Sequence, residues 1–91
     1  MVRILQTPTS KRAVKRLHKQ QKQELDEAVR VVAASPVIGE SKVGDLVGVR
    51  VHKFKMNRQL TLLAYEFSDS DDTVKLLALG SHENFYRGLK R

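Results

Sequence analysis

The sequence predicts an α+β fold: an N-terminal strand, a helical hairpin packed on an antiparallel sheet (β-α-α-β-β-β) and a short C-terminal helix. Three observations predict it. Apolar residues recur at three-and-four spacing between Ala13 and Ala33, the mark of helices with one buried face. From Val47 to Leu79 the period changes to two or to unbroken apolar runs, as in strands covered on one side or both. A chain of 91 residues buries only about 60% of its unfolded surface, enough for one core, so 1–91 reads as a single domain.

Each element follows from its residues. Residues 2–6 (Val-Arg-Ile-Leu-Gln) form a short β-type run, and Thr7-Pro8-Thr9-Ser10 then supplies a helix cap and a first-turn proline. Ala13, Val14 and Leu17 mark a first helix; Leu25, Ala28, Val29, Val32 and Ala33 mark a second. The wholly polar stretch 18–24 between them reads as the exposed turn of the hairpin, with His18 solvated. Ser35-Pro36 ends the second helix, because the proline ring disfavours a helical conformation in the residue before it. Residues 36–48, with Pro36, Gly39, Gly44 and Gly48, read as a long ordered loop.

Val47, Val49 and Val51 alternate with Gly48, Arg50 and His52, so one strand buries the valines and places Arg50 and His52 together on its other side. Phe54 breaks the alternation and predicts a bulge or twisted end. A turn at Met56-Asn57-Arg58 leads into Leu60–Phe67, a central strand covered on both sides. Ser68–Asp72 is the next turn and Val74–Leu79 the last strand, stopped by Gly80. Ser81 caps the short helix carrying Phe85, Tyr86 and Leu89. In such a meander the end of the last strand returns to the margin that holds the 53–58 turn. One strand separates them, roughly 10 Å at the spacing of neighbouring strands.

Charge narrows the class of partner. Lys+Arg 17 against Asp+Glu 10 gives +7 and a pI near 10.1, which favours anionic partners such as nucleic acid. Residues 1–22 hold seven basic side chains and no acid, and the sign then alternates in blocks along the chain. The run at 11–22 also fits an ordinary solvated helix face. With no cysteine, disulfide frameworks, thiolate metal sites and cysteine nucleophiles are excluded. Glycine spacing matches no phosphate-cradling loop. Asp69, Asp71 and Asp72 crowd one turn rather than pairing across a cleft, and three scattered histidines form no recognisable metal set. No cofactor or metal is therefore expected. The absence of a long apolar run or a secretory leader in this sequence predicts a soluble, cytoplasmic protein with no membrane partner.

The predicted margin gathers His52, Lys53, Lys55, Arg58, His82 and Tyr86, with Arg50 and Arg87 nearby. These residue types suit metal-free RNA cleavage, in which a 2′-hydroxyl attacks the adjacent phosphate. That reaction needs a base, an acid and cations over the developing phosphorane charge. Histidine serves either proton transfer near neutrality, arginine offers a planar fork to phosphate oxygens, and tyrosine stacks on an unpaired base. Each residue also has an ordinary structural use: strand histidines pack or face solvent, turn lysines blunt a sheet edge, and Tyr86 fits packing of the tail helix.

In its order of motifs the chain resembles the RelE/ParE superfamily of bacterial type II toxins. The resemblance is carried by Ala34-Ser35-Pro36 with Gly39, by Lys42-Val43-Gly44-Asp45-Leu46-Val47-Gly48-Val49-Arg50, by Leu62-Leu63-Ala64-Tyr65, and by Leu77–Tyr86. The Gly80-Ser81-His82 ending is similar to the YafQ-like branch. The resemblance implies a RelE-like fold, ribosome-dependent cleavage of mRNA and a cognate antitoxin. It implies proton transfer by His52 and His82, assistance from Tyr86, and phosphate cations at Lys53, Lys55 and Arg58. Lys11, Arg12, Lys15, Arg16, Lys19, Arg50 and Arg87 would then contact RNA of the message or ribosome. The sequence departs from the family where RelE carries an arginine on its third strand: Thr61 or Leu62 stands there. The same superfamily contains ParE-type inhibitors of DNA gyrase, an alternative target that requires no catalytic histidine.

Overall fold

Thr7 opens the first helix. In the computed structural model, which describes residues 2–42 and 47–81, its Oγ1 accepts the Ser10 N–H at 3.2 Å while Pro8 begins the helix, where a missing N–H costs nothing. The elements run β1 (Arg3–Gln6), α1 (Pro8–Lys15), α2 (Lys19–Ala34), β2 (Glu40–Ser41), β3 (Arg50–Met56), β4 (Gln59–Ser68) and β5 (Thr73–Ser81). The C-terminal helix predicted after Ser81, with His82, Tyr86 and Arg87, lies outside the described residues, as do 43–46 of the long loop.

The helical hairpin breaks at 16–18 rather than across the polar 18–24 stretch. His18 is the N-cap of α2: its Nδ1 accepts the Gln21 N–H at 3.5 Å, and Gln21 Oε1 accepts the His18 N–H at 3.1 Å. This reciprocal capping box starts the helix without an apolar residue. The polar stretch is thus the beginning of α2, and burial starts only with Leu25, followed by Ala28 and Val32. His18, expected to be merely solvated, is exposed but has this capping role.

The meander β3-β4-β5 is antiparallel, as expected, and forms the middle of a five-stranded sheet ordered β1-β5-β4-β3-β2. Two strands complete it in ways that local sequence does not encode. β1 pairs parallel with β5, Arg3 opposite Thr73 through Gln6 opposite Leu76, so the sheet is mixed rather than wholly antiparallel. β2 pairs only with Arg50 and Val51, too short a ladder for any periodicity to announce it. β3 pairs continuously through Met56, so of the bulge or twisted end expected at Phe54 there is no bulge. The irregularity falls between β4 and β5, where Ala64 opposes Ala78 but Tyr65 opposes Leu76, leaving Leu77 extra. Its carbonyl is taken by Thr7 Oγ1, which donates to it at 2.9 Å. β5 continues past Gly80 to Ser81.

Both sides of the sheet are apolar. Toward the helices, Leu25 and Val32 pack on Met56, Leu63, Tyr65, Val74 and Leu76, with Phe54 joining them. On the opposite side Val49, Val51, Leu62 and Ala64 form a second buried cluster. The expectation that β4 is covered on both sides is therefore met, since Leu62, Leu63, Ala64 and Tyr65 are all buried. Arg50 and His52 do share one side of β3, but it is the helix-covered side. Phe54 and Met56, two and four residues on, belong to the main core.

Candidate functional site

The 57–58 turn sits at the margin where the sequence placed a site. Met56 pairs with Gln59, so Asn57 and Arg58 form a two-residue hairpin loop with φ of 54° and 65°, a left-handed conformation matching type I′ geometry. Glycine is the usual second residue of such a turn, and an arginine there carries strain of order 1 kcal/mol. Glu24 of α2 secures the turn: its Oε1 accepts the Asn57 N–H at 3.0 Å. Ser81 at the end of β5 pairs with Thr61, which pairs with Phe54. The last strand thus ends two strands from the hairpin arm that carries Lys53 and Lys55, as expected.

Strand alternation divides the predicted cations and imidazole between two sides. His52 lies on the helix side, its ring stacked on Phe54 at 6.0 Å with 9° between planes. It lines a groove of about 240 Å³ with Glu24, Glu27, Ala28 and Val31 of α2. Burial holds its imidazole below the ordinary 6.5. Lys53 and Lys55 leave β3 on the opposite side. Lys53 Nζ lies 3.8 Å from Glu40 Oε2 of β2, while Lys55 borders the groove of His52. Lys53, Leu62 and Gly80 pair in one line across β3, β4 and β5. On that side of β4 the side chains are Leu60, Leu62 and Ala64, with no arginine.

Arg50 is tied into the structure. Its guanidinium donates to Val37 O at 3.1 Å and Gly39 O at 2.9 Å. The loop it holds is also gripped by Tyr65, fully buried in β4, whose hydroxyl donates to Pro36 O at 2.7 Å and accepts the Gly39 N–H at 2.9 Å. Burial pushes the Tyr65 phenol above its usual value, with the Gly39 N–H and the Arg50 charge acting the other way. Lys11, Arg12, Lys15, Arg16 and Lys19 are all exposed, along α1, the hinge and the start of α2.

The structure brings Lys53, Lys55 and Arg58 onto one hairpin and leaves His52 and Arg50 on its helix side. A cleft of about 260 Å³ opens between the helical hinge and the hairpin turn, with Arg16, Leu17, Gln21, Met56, Gln59 and Leu79 among its walls. Sequence reasoning passed over Gln21, Glu24 and Gln59. A glutamine three residues after an N-cap signals Gln21, but the Glu24–Asn57 bond spans 33 positions and leaves no local trace. Among the described residues no three His, Asp or Glu side chains gather as metal ligands do, and no helix is long and apolar enough to cross a membrane.

Comparison with known proteins agrees with the fold. No curated protein matches at the sequence level. The toxin-antitoxin complex RelBE of E. coli contains a chain superposing with a TM-score of 0.74 at 18% identity, over 91% of this chain and 99% of that one. The RelBE2 complex of Mycobacterium tuberculosis gives 0.73 at 19%, over 89% and 98%. A YoeB/ParE toxin from Agrobacterium tumefaciens gives 0.73 at 16%, over 89% and 99%. The profile of the ParE-like toxin of type II bacterial toxin-antitoxin systems matches residues 4–90. The chain belongs to this toxin family, within the RelE/ParE superfamily.

Proposed function

We propose that this toxin cleaves mRNA on the ribosome, using the side of the hairpin that faces away from the helices. The supporting observation is the i, i+2 placement of Lys53 and Lys55 on that side, beside the strained Arg58 turn and two strands from the end of β5. In the reaction the 2′-oxygen bonds to phosphorus and loses its proton, the P–O5′ bond breaks, and O5′ takes up a proton. The products are a 2′,3′-cyclic phosphate and a free 5′-hydroxyl. Lys53, Lys55 and Arg58 neutralise the charge that builds on the phosphorane oxygens. His82, next after Ser81 in the sequence, takes the 2′-hydroxyl proton and delivers it to O5′, and Tyr86 stacks on a base. His52, turned toward α2, takes no part in the chemistry. A cognate antitoxin and the ribosome are the partners of this reading, in the cytoplasm.

A second reading is favoured by one feature: where a phosphate-binding arginine would face Lys53 from β4, the side chains are Leu60, Leu62 and Ala64. That suits a gyrase-binding surface of ParE type. The test is mapping of cuts in a message programmed into ribosomes, run beside a gyrase supercoiling assay. Codon-spaced cuts lost in Lys53→Ala/Lys55→Ala and in His82→Ala, but kept in His52→Ala, support the nuclease. An uncut message with supercoiling inhibited replaces it with the gyrase inhibitor.

A further inference from the structure

The cleft at the helical hinge lies outside the cation set just described, and its construction is that of a ligand site. Both walls are fixed by capped turns. On one side the Arg16 N–H donates to Ala13 O and the Leu17 N–H to Val14 O, while the His18–Gln21 capping box starts the next helix. On the other, the hairpin turn is secured by Glu24 through Asn57. The floor is apolar, from Leu17, Met56 and Leu79, and none of its described lining residues is acidic.

Two carboxamide residues line this cleft, Gln21 and Gln59. Gln21 spends its Oε1 on the His18 N–H, which leaves its amide N–H groups as donors, and Gln59 is exposed on the opposite wall. Arg16 stands among the lining residues, and Arg12, Lys15, Lys19 and Lys22 are exposed along α1 and the first turn of α2. An apolar floor, amides able to pair with base edges and a cationic approach make one combination: they suit an unstacked nucleobase whose phosphates lie on the surrounding cations. The volume of about 260 Å³ admits one base and not a duplex.

We propose that this cleft binds a single unstacked nucleotide of single-stranded RNA, separate from the Lys53–Lys55 surface. The choice of RNA over DNA rests on the nuclease reading above; the nucleotide site itself does not. The test titrates the full chain, without ribosomes, with single-stranded RNA hexamers of A and of U, reading backbone amide resonances and affinity at several salt concentrations. Shifts should gather at 13–17, 56–61 and 79–81. Ala13→Leu, which fills the cleft, should weaken binding about tenfold. Gln59→Ala, at an exposed position that cannot perturb the core, should weaken it about threefold. Lys19→Ala should lower the salt slope by about one without changing which resonances move.

Shifts spread along α1 that spare the strand margin overturn the proposal, as does unchanged binding by both Ala13→Leu and Gln59→Ala. Equal affinity for DNA hexamers of matching sequence overturns the assignment to RNA. The two readings fail separately: an uncut message beside cleft-centred hexamer binding rejects the nuclease and keeps the site. Cleavage lost in Lys53→Ala/Lys55→Ala, with hexamers failing to reach the cleft, does the reverse.

Discussion

Replacing Tyr65 by phenylalanine removes one oxygen from the centre of the protein and breaks two contacts at once. The hydroxyl donates to Pro36 O at 2.7 Å and accepts the Gly39 N–H at 2.9 Å. Each bond contributes about 1 kcal/mol net, and leaving the buried Gly39 N–H without a partner adds roughly 1–2 kcal/mol. The expected loss is about 2–4 kcal/mol. At a urea slope of about 1.5–2 kcal/mol/M this lowers the midpoint by about 1–2.7 M with the slope unchanged. Gly39→Ala supplies the control. Its Cβ would stand 2.6 Å from the Tyr65 hydroxyl and 2.9 Å from Cε1, closer than packed atoms tolerate, so it alone should cost about 1–3 kcal/mol. Because both variants disturb one contact, the double variant should lose less than the two losses added. A Tyr65→Phe loss below about 0.5 kcal/mol, or strict additivity with Gly39→Ala, would refute the claim that this hydroxyl holds the loop.

Three further outcomes follow from the same geometry. Thr7→Ala strips the cap of α1 and the partner of the bulged Leu77 carbonyl, and thermal or urea unfolding should show a loss of about 1–3 kcal/mol. His52 has its folded pKa depressed by burial, so the folded state binds its proton less readily than the unfolded chain. Stability is full above pH 6.5 and falls as the pH drops through the depressed value; His52→Gln should flatten that acid limb in urea midpoints measured from pH 7.5 to 5. Arg58→Gly relieves a left-handed arginine at φ 65° and should raise stability by about 0.5–1 kcal/mol. On the proposed nuclease reading it should also reduce cutting of a ribosome-bound message, a strained residue exchanged for loss of a cation.

Much of this architecture was legible because its signals are local. Thr7-Pro8 marks a helix start through one cap and one ring, and the apolar run at 60–67 can only be a strand covered twice. The four-segment resemblance also has a physical basis here: Pro36 and Gly39 meet Tyr65 through its hydroxyl, so three positions of that pattern form one hydrogen-bonded unit. What the sequence hides is which side of β3 the helices choose. Alternating valines at 47, 49 and 51 point to one buried side, yet Phe54 and Met56 assign the main core to the other, and only the helix contacts decide between them. Strand alternation separates His52 from Lys53 and Lys55, and the helices' choice decides which of them is covered. The pairing of β1 and β2 was hidden for a related reason, since a four-residue and a two-residue strand acquire their partners from distant segments.

The parallel pairing of β1 with β5 also sets a timetable for the newly made chain. Residues 3–6 are synthesised first, yet their ladder partners are residues 73–76, and Thr7 waits for the carbonyl of Leu77, 70 positions later. Loops this long close slowly, and no early partial structure rewards the wait. Until β5 leaves the ribosome exit, the first strand has no sheet to join and the first helix lacks its anchor. A toxin built this way completes its sheet only once residues 73–76 have joined residues 3–6.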